Sequence, residues 1–140
     1  MFEWHGWATI VASPGVGDDA QAEARQRDAE QQVARAISEA GGISNETLDL
    51  RNANGLTHIW LAGAHNHRQD AGIEFFRQVV VTAPGSYGVM YALDHDLGGP
   101  WERWVMRRGT ITLEIDGSLS PHIGQVEDPP DLDPRIPDPE

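Results

Sequence analysis

Between Phe2 and Ala12 the chain reads as a strand with two apolar faces. Phe2, Trp4, Ala8 and Ile10 share one face, and His5, Trp7, Thr9 and Val11 share the other. Bulky groups on both sides predict a central strand rather than an edge. Ser13-Pro14-Gly15-Val16-Gly17 follows as a loop. From Asp18 to Ala40 the period lengthens. Ala22, Ala29, Val33, Ala36, Ile37 and Ala40 form a narrow apolar stripe among Gln, Glu, Arg and Asp, which predicts a helix packed closely on a sheet by its small residues. Asp18 stands where a cap belongs, with Gln21 three residues on, and Gly41-Gly42 ends the helix.

Period two then returns. Thr47–Arg51 and Leu56–Ala64 are predicted strands, joined through Asn52-Ala53-Asn54-Gly55, and Asn-Gly is among the strongest short hairpin signals. A second helix is predicted from Arg68 to Thr82, with Ile73, Phe76 and Val80 on one face widened by Phe75 and Val79. Its last turn is rich in β-branched residues, which favour strands. Pro84 and Gly85 stop that element. Tyr87, Val89, Tyr91 and Leu93 share one face of a strand over Tyr87–Leu93 that runs into Asp94-His95-Asp96. Gly98-Gly99-Pro100 turns, Trp101–Arg107 is a strand, Arg108-Gly109 turns, and Thr110–Ile115 is the last strand. The predicted class is α+β: a single mostly antiparallel sheet with two helices on one side, in the order β-α-β-β-α-β-β-β. The domain is expected to span residues 1–126. Residues 127–140 are Pro, Asp and Glu with one Arg, a composition that cannot bury enough surface to fold alone.

Charge and composition narrow the function. Ten basic residues against 22 acidic ones leave −12 over 140 residues, with 39% hydrophobic. A bare nucleic-acid backbone is therefore an unsuitable ligand, and a basic protein is a suitable one. Glu127, Asp128, Asp131, Asp133, Asp138 and Glu140 against Arg135 place about five of those charges at the C-terminal end. The absence of cysteine excludes a disulfide framework, a thiolate nucleophile and a cysteine zinc site. Met1-Phe2-Glu3-Trp4-His5 has neither the basic n-region nor the apolar h-region of a secretory leader, so none is expected, and no apolar run approaches the ~20 residues of a membrane span. The expected setting is the cytoplasm, with no membrane partner.

Three stretches invite a chemical reading. His65-Asn66-His67 puts two imidazoles on one face of an extended chain with Asp70 in reach, a conceivable metal site and the basis of a rival reading as a small metal-dependent hydrolase. The plainer reading is a polar strand-to-helix loop with Asn66 or Asp70 as the cap. Asp94-His95-Asp96 has the composition of an acid–base pair, yet no nucleophile with an oxyanion-hole loop stands nearby, since Gly85-Ser86-Tyr87-Gly88 is not the Gly-x-Ser-x-Gly elbow. A solvated strand end or an acidic partner-binding patch fits better. Gly15-Val16-Gly17 lacks the third glycine and the lysine of nucleotide loops, and Asp18-Asp19 would repel a phosphate there. Among Trp4, Trp7, Trp60, Trp101 and Trp104, most are expected in the core. Trp101 and Trp104 have opposite parity on one strand, so at least one of them leaves the helix-covered face. An exposed indole beside acids has the composition of a binding hot spot.

Three blocks, taken in order, resemble the immunity protein 7 family of bacterial polymorphic toxin systems. They are Phe2-Glu3-Trp4-His5-Gly6-Trp7, then Gly85-Ser86-Tyr87-Gly88-Val89-Met90-Tyr91 running into Asp94-His95-Asp96, then Asp116-Gly117-Ser118-Leu119-Ser120-Pro121-His122-Ile123 followed by Val126-Glu127-Asp128. The likeness covers about residues 1 to 128. Two positions depart from the pattern, His95 between the acids and His122 after Ser-Pro, and both bear on partner choice rather than fold. The resemblance implies an immunity protein, not an enzyme, with no catalytic residues, no cofactor and no metal, whose partner is a cognate toxin domain. Toxins that act on nucleic acid are usually basic, which suits an acidic inhibitor. The residues expected to meet the partner are Asp94, Asp96, Glu102, Glu127 and Asp128, with Trp101 or Trp104 as the aromatic anchor. A non-enzymatic acidic adaptor for another basic protein is a third reading. Oligomeric state stays open, because a second subunit could also cover a strand that is bulky on both faces.

Overall fold

The structure is a computed structural model that describes residues 1–15, 19–40 and 46–119. The elements run β1 (Phe2–Thr9), α1 (Ala20–Ala40), β2 (Glu46–Ala53), β3 (Leu56–His65), α2 (Ala71–Thr82), β4 (Tyr87–Asp94), β5 (Glu102–Arg107) and β6 (Thr110–Ile115). This is the α+β order that the periodicity predicts. The six strands form one sheet in the order β2-β3-β1-β4-β5-β6, and every neighbouring pair is antiparallel. β1 is central, as its two apolar faces require.

Both helices pack on one side of the sheet. Phe2, Trp4, Ala8 and Ile10 of the β1 segment, Ile59 and Leu61 of β3, Met90 and Ala92 of β4, and Trp104 and Met106 of β5 meet Ala29 and Val33 of α1 and Ile73, Phe75, Phe76 and Val79 of α2 in one core. α2 stays helical through its β-branched end because Val79, 2% exposed, is held in that core; burial there outweighs local propensity. α1 brings a thinner apolar stripe and adds polar ties. Gln26 accepts the Ala12 N–H at 2.9 Å and donates to the Ile10 carbonyl at 2.9 Å. Glu30 accepts from Gln26 Nε2 at 2.8 Å and from Thr57 Oγ1 at 2.9 Å.

Several local expectations are corrected. Asp18, with Val16 and Gly17 of the loop before it, lies outside the described residues, as do Gly41 and Gly42. Asp19 caps α1, its carboxylate accepting the Ala22 N–H at 2.7 Å. α2 begins at Ala71 rather than Arg68. Asp70 stands at its N-cap without a side-chain cap bond, because its Oδ1 is taken by Arg68 Nε at 2.9 Å. The β2–β3 hairpin is tighter than expected, with only Asn54 and Gly55 at its tip, both at positive φ (52° and 80°), as a twist-matched two-residue turn demands. No described helix is long and apolar enough to cross a membrane.

Candidate partner-binding surface

Of the five acids singled out in the sequence, the three described ones, Asp94, Asp96 and Glu102, gather at one end of the sheet, and two of these hold a cation. Asp94 closes β4 opposite Phe2, and its Oδ1 accepts the Asp96 N–H at 3.1 Å. Asp96 takes the N-terminal ammonium at 2.9 Å and His67 Nδ1 at 3.4 Å. Those two donors, the ammonium first, hold its carboxyl below the ordinary carboxylate range. Glu102 is gripped by both terminal nitrogens of Arg68, at 2.9 and 3.3 Å, and also accepts Trp104 Nε1 at 3.0 Å. Arg68 lies 5.0 Å above the Phe2 ring, and Glu102 holds its guanidinium more firmly protonated than usual. Glu127 and Asp128 lie outside the described residues. The described residues together carry 15 carboxylates against nine arginines, so half of the net −12 lies outside them.

The two tryptophans part as their parity requires, but neither is exposed. Trp104 faces the helices, 8% exposed, with the Arg77 guanidinium 5.3 Å from its ring. Trp101 faces the uncovered side, 6.3 Å from the His5 ring, yet is only 4% exposed. The expectation of an exposed indole at Trp101 or Trp104 is therefore not met in the free chain.

The histidines of the hydrolase reading do not converge. His65 is buried on the helix side and bonded to Glu46 at 3.0 Å, while His67 is in solvent beside Asp96. Among the described residues no three His, Cys, Asp or Glu side chains are placed to hold a metal ion. Ser86 is a stitch rather than a nucleophile: buried, its Oγ accepts the Val11 N–H at 3.0 Å and donates to the Val11 carbonyl at 3.4 Å. His95 sits 3.5 Å from Glu3.

What the sequence reading missed is the uncovered face itself. Tyr87, Val89, Tyr91 and Leu93 do share a face, but the helices pack on the opposite one, through Met90 and Ala92. Register carries one row across all six strands: Asp49, Trp60, Trp7, Val89, Val105 and Thr112. Its middle is apolar and aromatic. Trp60 is 51% exposed, and Tyr87, edge-on to Trp7 at 6.3 Å, is 44% exposed. Two shallow grooves flank Trp7 and Val89. One, of 410 Å³, is lined on the β3 side by Trp60 and Ala62. The other, of 490 Å³, runs past Tyr87 and Val105 to Arg107 and Arg108. The available signal was the excess of large residues on both faces of β1 in a chain with helices enough for only one.

At the far end of this face Asp116 is fully buried and accepts from Leu119 N–H (2.6 Å), Ser118 N–H (3.0 Å) and Arg103 Nη1 (3.2 Å). Its carboxyl is held below the ordinary range, first by the Leu119 N–H and then by Ser118 and Arg103. The Asp116-Gly117-Ser118-Leu119 block is thus a structural turn.

A two-layer α+β domain whose helices leave one face of the sheet to partly exposed aromatic side chains has the build of a binding module. The chain belongs to the immunity protein 7 family, whose model matches residues 1–128. It is thereby an immunity protein of a toxin system, from a family that is generally non-enzymatic and whose members have a cognate toxin as partner. No curated protein and no solved structure matches the chain.

Proposed function

We propose that this protein binds the toxin domain encoded beside it, in the cytoplasm of the cell that makes both, and neutralises it by covering its working surface or holding it in an idle conformation. The observation that carries this reading is the family match over residues 1–128. A net charge of −12 supports a basic toxin as the partner, since opposite net charges raise the rate of encounter. Within that field Asp94, Glu127 and Asp128 count for more than Asp96 and Glu102, which the N-terminal ammonium and Arg68 already neutralise. Trp101 and Trp104, both buried, support this end of the sheet from its two faces.

Co-expression tests the reading. Cells producing the neighbouring toxin domain are expected to survive when this protein is present and folded. Killing that persists with abundant folded protein, confirmed by its circular dichroism after purification, refutes it.

A further inference from the structure

We propose that the uncovered face of the sheet, from Trp60 across Trp7 to Tyr87 and the Arg107-Arg108 turn, is where the toxin docks, and that the toxin meets it with an apolar segment carrying at least one carboxylate. The inference rests on the function proposed above and deepens it by naming the surface and the chemistry it accepts.

Three observations lead there. The first is exposure: the helices pack only on the other side of the sheet, and here Trp60 and Tyr87 are about half exposed. Aromatic residues lose little conformational entropy on contact and are enriched at binding hot spots. The second is pairing. Of the sheet's arginines, Arg51 holds Asp49, and Arg103 holds Glu114 and Asp116. The β3–α2 arginine, Arg68, holds Glu102 and Asp70. Arg107 and Arg108 have no carboxylate partner among the described residues, although the chain has acids in excess. Both line the 490 Å³ groove beside Tyr87 and Val105. A guanidinium at the rim of an apolar groove binds a carboxylate in two-pronged fashion. The third is shape, since two shallow grooves lie side by side on this face and share Trp7 and Val89 as common wall.

The overall charge and the local charge then have separate tasks. The −12 attracts a basic protein from a distance, where only net charge is felt. Within contact distance Arg107 and Arg108 select a carboxylate on that protein. A second copy of this chain is the poorer occupant, because two bodies of −12 repel one another.

The test is hydroxyl-radical footprinting of the full chain, free and mixed with the toxin domain encoded beside it, together with binding of a matched pair of charge reversals. Trp60 and Tyr87 are expected to be labelled in the free chain and protected in the complex. Arg107→Glu with Arg108→Glu is expected to weaken binding tenfold or more. Arg25→Glu with Arg35→Glu, exposed on α1 and identical in net charge change, is expected to change it less than threefold. Equal losses in both double variants, or labelling of Trp60 unchanged by a toxin that does bind, overturns the surface while leaving the proposed function standing. A wild-type chain that does not bind the toxin overturns both. Protection already present in the free chain overturns the proposal too, in favour of a second copy if it depends on concentration and of the chain's own residues 120–140 if it does not. Footprinting the wild type needs no variant to fold.

Discussion

The Arg103 guanidinium reaches the Asp116 carboxylate at 3.2 Å, and that carboxylate is completely shielded from solvent. Arg103 leaves β5 towards Glu114, which it holds at 2.7 Å, and towards Asp116, just past the end of β6. Asp116 in turn donates its own N–H to the Trp101 carbonyl at 2.9 Å and binds Ser118 and Leu119 through its carboxylate. One carboxylate thus closes the β5–β6 hairpin and starts the chain on its way beyond the sheet.

A pH dependence follows from this arrangement. The Asp116 carboxyl titrates at an ordinary ~3.9 in the unfolded chain and lower in the fold, held down first by the Leu119 N–H. A group whose folded pKa is depressed contributes stability that is present above its unfolded value and is lost as pH falls through the folded one. In Asp116→Asn that contribution is gone. The expected result, from urea unfolding at a series of pH values, is a variant with a lower midpoint than the wild type near pH 6. The gap should close progressively as the pH drops below about 4. A gap that stays constant down to about pH 2 contradicts the depressed titration.

Trp4 sets a second test. Its indole lies between Gly63 of β3 and Gly72 of α2, and a Cβ placed on either glycine would fall within 2.7 Å of, or closer to, the ring atoms. The ring is 1% exposed and cannot swing aside. Gly63→Ala is expected to lower stability by about 1–3 kcal/mol through overpacking, read as a shift of the denaturant midpoint at unchanged slope. Gly55→Ala has open space around it and acts instead through its positive φ, so the two glycines fail for different reasons.

The buried pair of His65 and Glu46 separates the binding module from the hydrolase. Both side chains are 7% exposed and bonded at 3.0 Å. Glu46→Ala leaves the imidazole without its partner in the interior, at a cost of about 1–3 kcal/mol. His65→Ala is likewise expected to change stability, while elemental analysis of wild type and variant finds the same zinc and manganese background. Stoichiometric metal in the wild type that is lost in His65→Ala would restore the hydrolase reading.

Much of this fold was legible in the residue pattern, and what was not has identifiable causes. Thr110–Ile115 and the Asn54-Gly55 hairpin follow from period two and turn chemistry, which are local. The helix-facing side of β4 is a tertiary matter. Tyr87, Val89, Tyr91 and Leu93 are the larger set, yet Gly88, Met90 and Ala92 point to the helices, because close packing there leaves room only for slim or pliable side chains. The candidate site was legible as charge but not as pairing. Asp96 and Glu102 read as free acids until the positions of the N-terminus and Arg68, distant in sequence, bring cations to them. Trp101 and Trp104 part to opposite faces as expected, yet both are buried, since parity fixes direction and says nothing about what covers a residue.

That pairing makes a final prediction about association with the toxin. With the basic toxin proposed above, the long-range attraction is screened over ~10 Å at 0.1 M salt, so the association rate should fall steeply as salt rises from low to physiological concentration. The dissociation rate, set by contacts already formed, should change little. Stopped-flow mixing at several salt concentrations reads both. The same experiment ranks the acids. Glu102→Gln changes the net charge by one unit, half the change of the double variant below, and takes an acceptor from Trp104 and a partner from Arg68, so it should slow association by no more than about twofold and also lower the unfolding midpoint. Glu127→Gln with Asp128→Gln removes charge from the segment beyond Leu119, where a large share of the net −12 resides, and should slow association several-fold at low salt with no effect at high salt. The reverse ranking would mean that Arg68 releases Glu102 when the toxin arrives, and that the acidic end of the sheet is itself part of the contact.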